Sequence, residues 1–151
     1  MEDTPRVDDL ALRHPWLASA EAFTVFVQRF EEGRLSRAEW THGAHVAIGA
    51  CYVVRYGAVA VDALREGIRR HNAAVGTIDT ETSGYHETLT RLWAEVVARA
   101  VAGVGDPFAA ARLAVGRFGE DRGLPARYYS FDVVKDRRAR AEWVAPDLVL
   151  L

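Results

Sequence analysis

The chain has 151 residues, 50 % hydrophobic and 26 % charged, the composition of a single globular domain rather than a disordered or fibrous one. Its 19 basic and 21 acidic side chains leave a formal charge of −2, so no overall basic excess points to nucleic acid or to an anionic membrane. The one cysteine, Cys51, excludes an internal disulfide and an all-cysteine zinc site.

The first residues, Met1-Glu2-Asp3-Thr4-Pro5, are acidic and polar, unlike a signal or transit peptide. The longest apolar stretches, 46–54 and 96–104, are interrupted and too short to span a bilayer. The expectation is therefore a cytoplasmic protein without a membrane partner, whose residues 1–18 form an irregular N-terminal segment. Residues 19–32 carry Ala22, Phe23, Phe26, Val27 and Phe30 at helical spacing and end at Gly33. Ser36-Arg37-Ala38-Glu39 then has the form of a capping box, with Leu35 and Trp40 placed as a hydrophobic staple. This predicts a helix over 37–56, nearly uncharged and hence central and buried, closed by Gly57. Further helices are expected over 58–71, 84–102 and 106–118, the last opened by Asp106-Pro107. A turn-rich stretch covers 72–84, a loop covers 119–126, and the tail over 132–143 reads as helical. No alternating run suggests a sheet. The predicted fold class is all-α, a single-domain bundle of five or six helices over 1–151.

Two clusters carry candidate chemistry. In Glu39-x-x-His42-x-x-His45 the histidines lie three apart on a predicted helix, a spacing that lets both reach one metal ion. In Tyr85-His86-Glu87-Thr88-Leu89-Thr90, His86 shares the inward stripe of Leu89, Thr90 and Trp93. If the two helices pack together, His42, His45 and His86 become candidate ligands of a divalent transition metal, zinc or iron, with a water in the open position. Glu87, and less directly Glu39, are the candidate catalytic bases for hydrolytic, hydratase or lyase chemistry on a small molecule. Each also has a plain structural explanation: Glu39 completes the capping box, and Glu87 complements a helix dipole. A second Glu-x-x-His is absent, which argues against a di-iron bundle. Cys51 reads as an inert buried thiol, and His14 and His71 as structural or solvated. After a Gly/Pro loop, Arg127 and Tyr128 are candidates to cover a pocket and grip an anion; Tyr85, otherwise a core residue, is a third candidate for substrate binding. Arg137, Arg138 and Arg140 read as a solvated face.

Two rival readings use the same residues. One is metal-free acid–base catalysis by His86 and Glu87, of the isomerase, cyclase or lyase type. The other is a non-catalytic protein that binds a small ligand or a partner, its histidines being hydrogen-bonded core residues.

The segments Glu39-Trp40-Thr41-His42-Gly43-Ala44-His45-Val46-Ala47, Tyr85-His86-Glu87-Thr88-Leu89-Thr90, Tyr128-Tyr129-Ser130 and Ala141-Glu142-Trp143-Val144-Ala145-Pro146-Asp147-Leu148 together resemble a family of short bacterial helical proteins. That family pairs an aromatic-x-His-x-x-His-Leu helix start with a Tyr-His-Glu-Thr-x-Thr helix start. Here Val46 replaces the leucine, and Trp40 stands two residues before His42. The resemblance implies that His42, His45, His86 and Glu87 belong to one site, and it brings no reaction with it.

Overall fold

The computed structural model describes residues 8–151 and is all-helical among them, as the sequence predicts. The acidic residues 1–5 lie outside the described residues. Five long helices form one core, and short helical turns join and brace them.

Residues 8–18 are more regular than expected. Asp8 caps α1 (Asp9–Arg13), and a 3-10 turn over Pro15–Leu17 drives Leu17 fully into the core. Arg112 fastens this segment, donating to the Leu17 carbonyl and, at 2.9–3.0 Å, to the Asp8 carboxylate. Helix α2 (Ala20–Glu31) starts at Ser19, whose hydroxyl accepts from the Ala22 amide at 3.1 Å. It buries the expected Phe23, Phe26, Val27 and Phe30. Gly33, at φ 69°, turns the chain out of it.

The capping box forms but does not open the helix. The Ser36 hydroxyl accepts from the Glu39 amide at 3.2 Å, and Glu39 reaches back to the Ser36 amide at 3.1 Å. They close a single turn. Thr41 is extended at ψ 172°, and its hydroxyl accepts from the Ala44 amide, so α3 (His42–Tyr56) begins five residues later than predicted. Trp40, caught between Phe30 and the ring of His45, pins this break.

Helix α3 is the central helix that its composition implies, buried without a break over 46–52. Helix α4 (Ala60–Ala74) follows a 3-10 turn at Gly57–Val59. By length and composition alone the path His42–Ala74 would suffice to cross a membrane, which the interrupted apolar runs had not suggested. Half of its most apolar stretch is buried, however. Gly57, at φ 52°, also folds the chain back, so that a Cβ on Gly67 would meet Phe30 and the Tyr52 hydroxyl at 3.2–3.4 Å. The path is a bent hairpin in the core.

Helix α5 (Glu87–Ala100) starts three residues later than predicted, because His86 is its cap. Helix α6 (Pro107–Phe118) matches the Asp106-Pro107 signal and packs along α3. The loop over 119–126 gives way to a short α7 (Pro125–Tyr128). Of the predicted helical tail only α8 (Arg137–Ala141) forms. The fully buried Thr88 explains where it stops: its hydroxyl donates to the Glu142 carbonyl at 2.8 Å and accepts from the Val144 amide at 3.0 Å, holding the chain extended against α5.

Candidate functional site

Helices α3, α4 and α5, the loop after α6 and the end of α8 enclose a cavity of about 450 Å³, within the range of small-molecule sites. Trp40, Trp93, Val46, Leu64, Ile68 and Leu89 supply apolar wall. His42, His45, His86, Asn72, Thr77, Tyr85, Thr90, Arg122 and Arg140 supply polar groups, and no aspartate or glutamate among the described residues lines it. The two histidine motifs therefore do meet on one cavity. First-turn residues of both α3 and α5 face it, which brings the positive ends of two helix dipoles to its wall.

Hydrogen bonding gives the three imidazoles different roles. His45 Nδ1 lies 2.7 Å from the Thr41 carbonyl and must donate to it, which leaves Nε2 as a bare lone pair with no partner among the described residues. The ring packs against Trp40, centroids 3.8 Å apart, but the residue is solvent-exposed where it lines the cavity. Desolvation by the protein packed around the ring lowers its pKa, opposed by the bond to Thr41 and joined by smaller contributions from His42, His71 and Arg122. His45 is thus neutral at pH 7, with one tautomer selected by its own helix.

His42 donates Nε2–H to the Phe118 carbonyl at 3.0 Å, and Trp93 packs edge-on against it. Burial lowers its pKa too. His86 has both nitrogens engaged: Nδ1 accepts from the Leu89 amide at 3.1 Å, and Nε2–H donates to the Val133 carbonyl at 2.9 Å. It caps α5 and anchors the tail. Three rings face one space, but each is tied to a different backbone segment. Among the described residues no three histidine, cysteine or carboxylate side chains come together as a metal-ligand set.

The candidate bases lie elsewhere. Glu87 turns away from the cavity into a fork with Arg65, Nε to Oε2 at 3.0 Å, and accepts from the Tyr85 hydroxyl at 2.5 Å. Its side chain is 15 % exposed, and the hydrogen bonds from Arg65 hold its carboxyl below the ordinary value. Glu39 is gripped by Arg29 at 2.6 and 2.8 Å and by the Ser36 amide, which bring it down to about 2. It lines a second, wider and more open cleft of about 1080 Å³, whose other carboxylate, Glu120, pairs with Arg13. Neither glutamate is placed to take a proton inside the cavity. Arg127 forks to Asp121, and Tyr128 packs on the core; neither lines the cavity, contrary to the expected grip on substrate. Of the three candidate substrate-binding residues only Tyr85 lines it. Two residues set aside as structural are so placed: His71 is fully buried and donates to the Leu35 carbonyl at 3.1 Å, and His14 packs on Gly43, where a Cβ would come within 2.6 Å of its ring.

Three further cavity residues escaped the sequence reading. Arg122 stands in the loop after α6, exposed and without an ion pair among the described residues, and with Trp40 and His42 it lines both the cavity and the wider cleft. Arg140, read as part of a solvated face, turns inward and spends its guanidinium on the carbonyls of Gly84 and Val134 at 2.9 and 3.3 Å. Gly49, in mid-α3, lines the cavity at a place where a Cβ would meet nothing within 4 Å. Glycine inside a helix costs about 1 kcal/mol relative to alanine. The helix bears that cost at a position where no packing demands it, and the result is open space. The one available signal was the small-residue run Gly43, Ala44, Ala47, Gly49 and Ala50 in the central helix.

No protein-family model, no curated protein and no solved structure matches the chain.

Proposed function

We propose that the cavity is a binding and reaction site for a small organic molecule, with His45 as its acid–base group. The observation that supports this most directly is an imidazole in the wall of a ligand-sized cavity, its tautomer set by Thr41 and its Nε2 without a partner among the described residues, none of whose carboxylates lines that cavity. In this reading Nε2 accepts a proton from the bound molecule and returns it, chemistry of the isomerase or lyase type. The Nδ1–H bond to Thr41 steadies the imidazolium that forms meanwhile. His86 and Glu87 support the wall instead of carrying the proton.

A divalent metal would find two bare nitrogens here, His45 Nε2 and His42 Nδ1. Recruiting His86 would break both of its hydrogen bonds. Proton transfer at His45 needs no such rearrangement, and for that reason it is favoured.

A library of small aromatic and alicyclic fragments, screened by NMR, tests the site. Binders should move the ring resonances of His45. Gly49→Leu should abolish their binding by filling the cavity while leaving the protein folded, since a Cβ there meets nothing within 4 Å and leucine is the better helix former by nearly 1 kcal/mol. Binders that leave His45 unmoved, or that bind Gly49→Leu equally well, would refute the assignment.

A further inference from the structure

We infer that the molecule is a small monocarboxylate, its apolar body against Trp40 and Trp93 and its carboxylate held by Arg122. The inference rests on the reading of the cavity as a small-molecule site and adds the class of molecule.

Charge decides the sign. Two guanidinium groups line the cavity and, among the described residues, no carboxylate does, so the charges in its wall favour an anion over a cation. The free donors decide the count. Arg140 uses both of its terminal nitrogens on backbone carbonyls, and its buried Nε has no partner, so it adds positive charge but no open fork. Arg122 makes no hydrogen bond or ion pair to any described residue and keeps its whole planar fork available. One free guanidinium fork matches one carboxylate in a bidentate pair. The walls decide the body. Trp40 and Trp93, with Leu64, Ile68 and Leu89, favour a ring or a short alkyl chain.

The pairing would also tune the base. Arg122 is among the charges that hold the His45 pKa down. A carboxylate on Arg122 offsets that repulsion and moves His45 toward the range in which an imidazole exchanges protons at neutral pH.

Titrating benzoate, phenylacetate and hexanoate at millimolar concentration, each beside its own amide, tests the inference. The acids should bind roughly tenfold more tightly than the amides, the worth of one charge-assisted pair. Arg122→Gln should erase that preference without shifting the Tm, because the side chain has no partner to lose. Equal binding of acids and amides overturns the monocarboxylate and leaves the cavity reading standing. A preference that survives in Arg122→Gln overturns the role of Arg122. Inorganic phosphate displacing the acids with comparable affinity would make this a phosphate site instead. Binding of neither acids nor amides overturns both this inference and the cavity reading.

Discussion

Lowering the pH from 7 to 5 should strip this protein of much of its stability. It contains five histidines, His14, His42, His45, His71 and His86, and burial lowers the pKa of every one. In the unfolded chain each protonates near 6.5. Below that pH the unfolded state binds protons that the folded state refuses, so stability falls with pH until the folded values are reached. His71 shows why the folded state refuses. It is wholly buried, stacked on Phe30 with Trp40 beside it, and its Nδ1 has no partner to receive a new hydrogen. A single histidine kept neutral in this way costs about 1.4 kcal/mol per pH unit. The carboxylates act in a lower window. Glu39 and Glu87 are held below their unfolded value near 4.3, so their contribution is fully present above it and lost as the pH falls through their folded values. Calorimetric Tm values between pH 7.5 and 4.5 should fall steadily from about pH 6.5 downward. A Tm constant between pH 7 and 5 would show that the imidazoles titrate freely.

Replacing His86 by alanine should cost about 2–4 kcal/mol of folding stability. Loss of the cap on Leu89 accounts for about 1 kcal/mol. The Val133 carbonyl, left unpaired beside a buried side chain, adds roughly 1–3 kcal/mol. His86→Asn should recover the cap portion, because asparagine caps helices well, but not the bond to Val133. Urea unfolding of the three proteins measures this directly. A change under about 0.5 kcal/mol in His86→Ala, a typical surface value, would contradict the anchoring role and return His86 to the list of reactive groups.

The sequence carried the architecture because its signals were local. The stripe of α2, the Asp106-Pro107 start and the uncharged α3 each follow from neighbours within a few turns. Where two local signals competed, the nearer cap won: Thr41 over Ser36, and His86 over the turn at Gly84. The tail misled because the length of α8 is set by Thr88, more than fifty positions away, and no periodicity reports that bond. At the site, the meeting of His42, His45 and His86 on one cavity was legible from the inward stripes of two helices. The role of each ring was not. Spacing places a ring on a face, but the partner of each nitrogen comes from backbone carbonyls at Phe118, Thr41 and Val133, two of them distant in sequence. The arginines were misjudged for the same reason: Arg127 finds Asp121 six residues away, while Arg122, in an unremarkable loop, and Arg140 are the ones that line the cavity.

The central claim is that His45 is a neutral imidazole whose free nitrogen faces a ligand. Nitrogen-15 NMR of the histidine rings shows which nitrogen carries hydrogen and at what pH each ring protonates. His45 should carry it on Nδ1 alone at pH 7 and protonate below the ordinary imidazole value near 6.5. A doubly protonated ring at pH 7, or hydrogen on Nε2 in place of Nδ1, would contradict it.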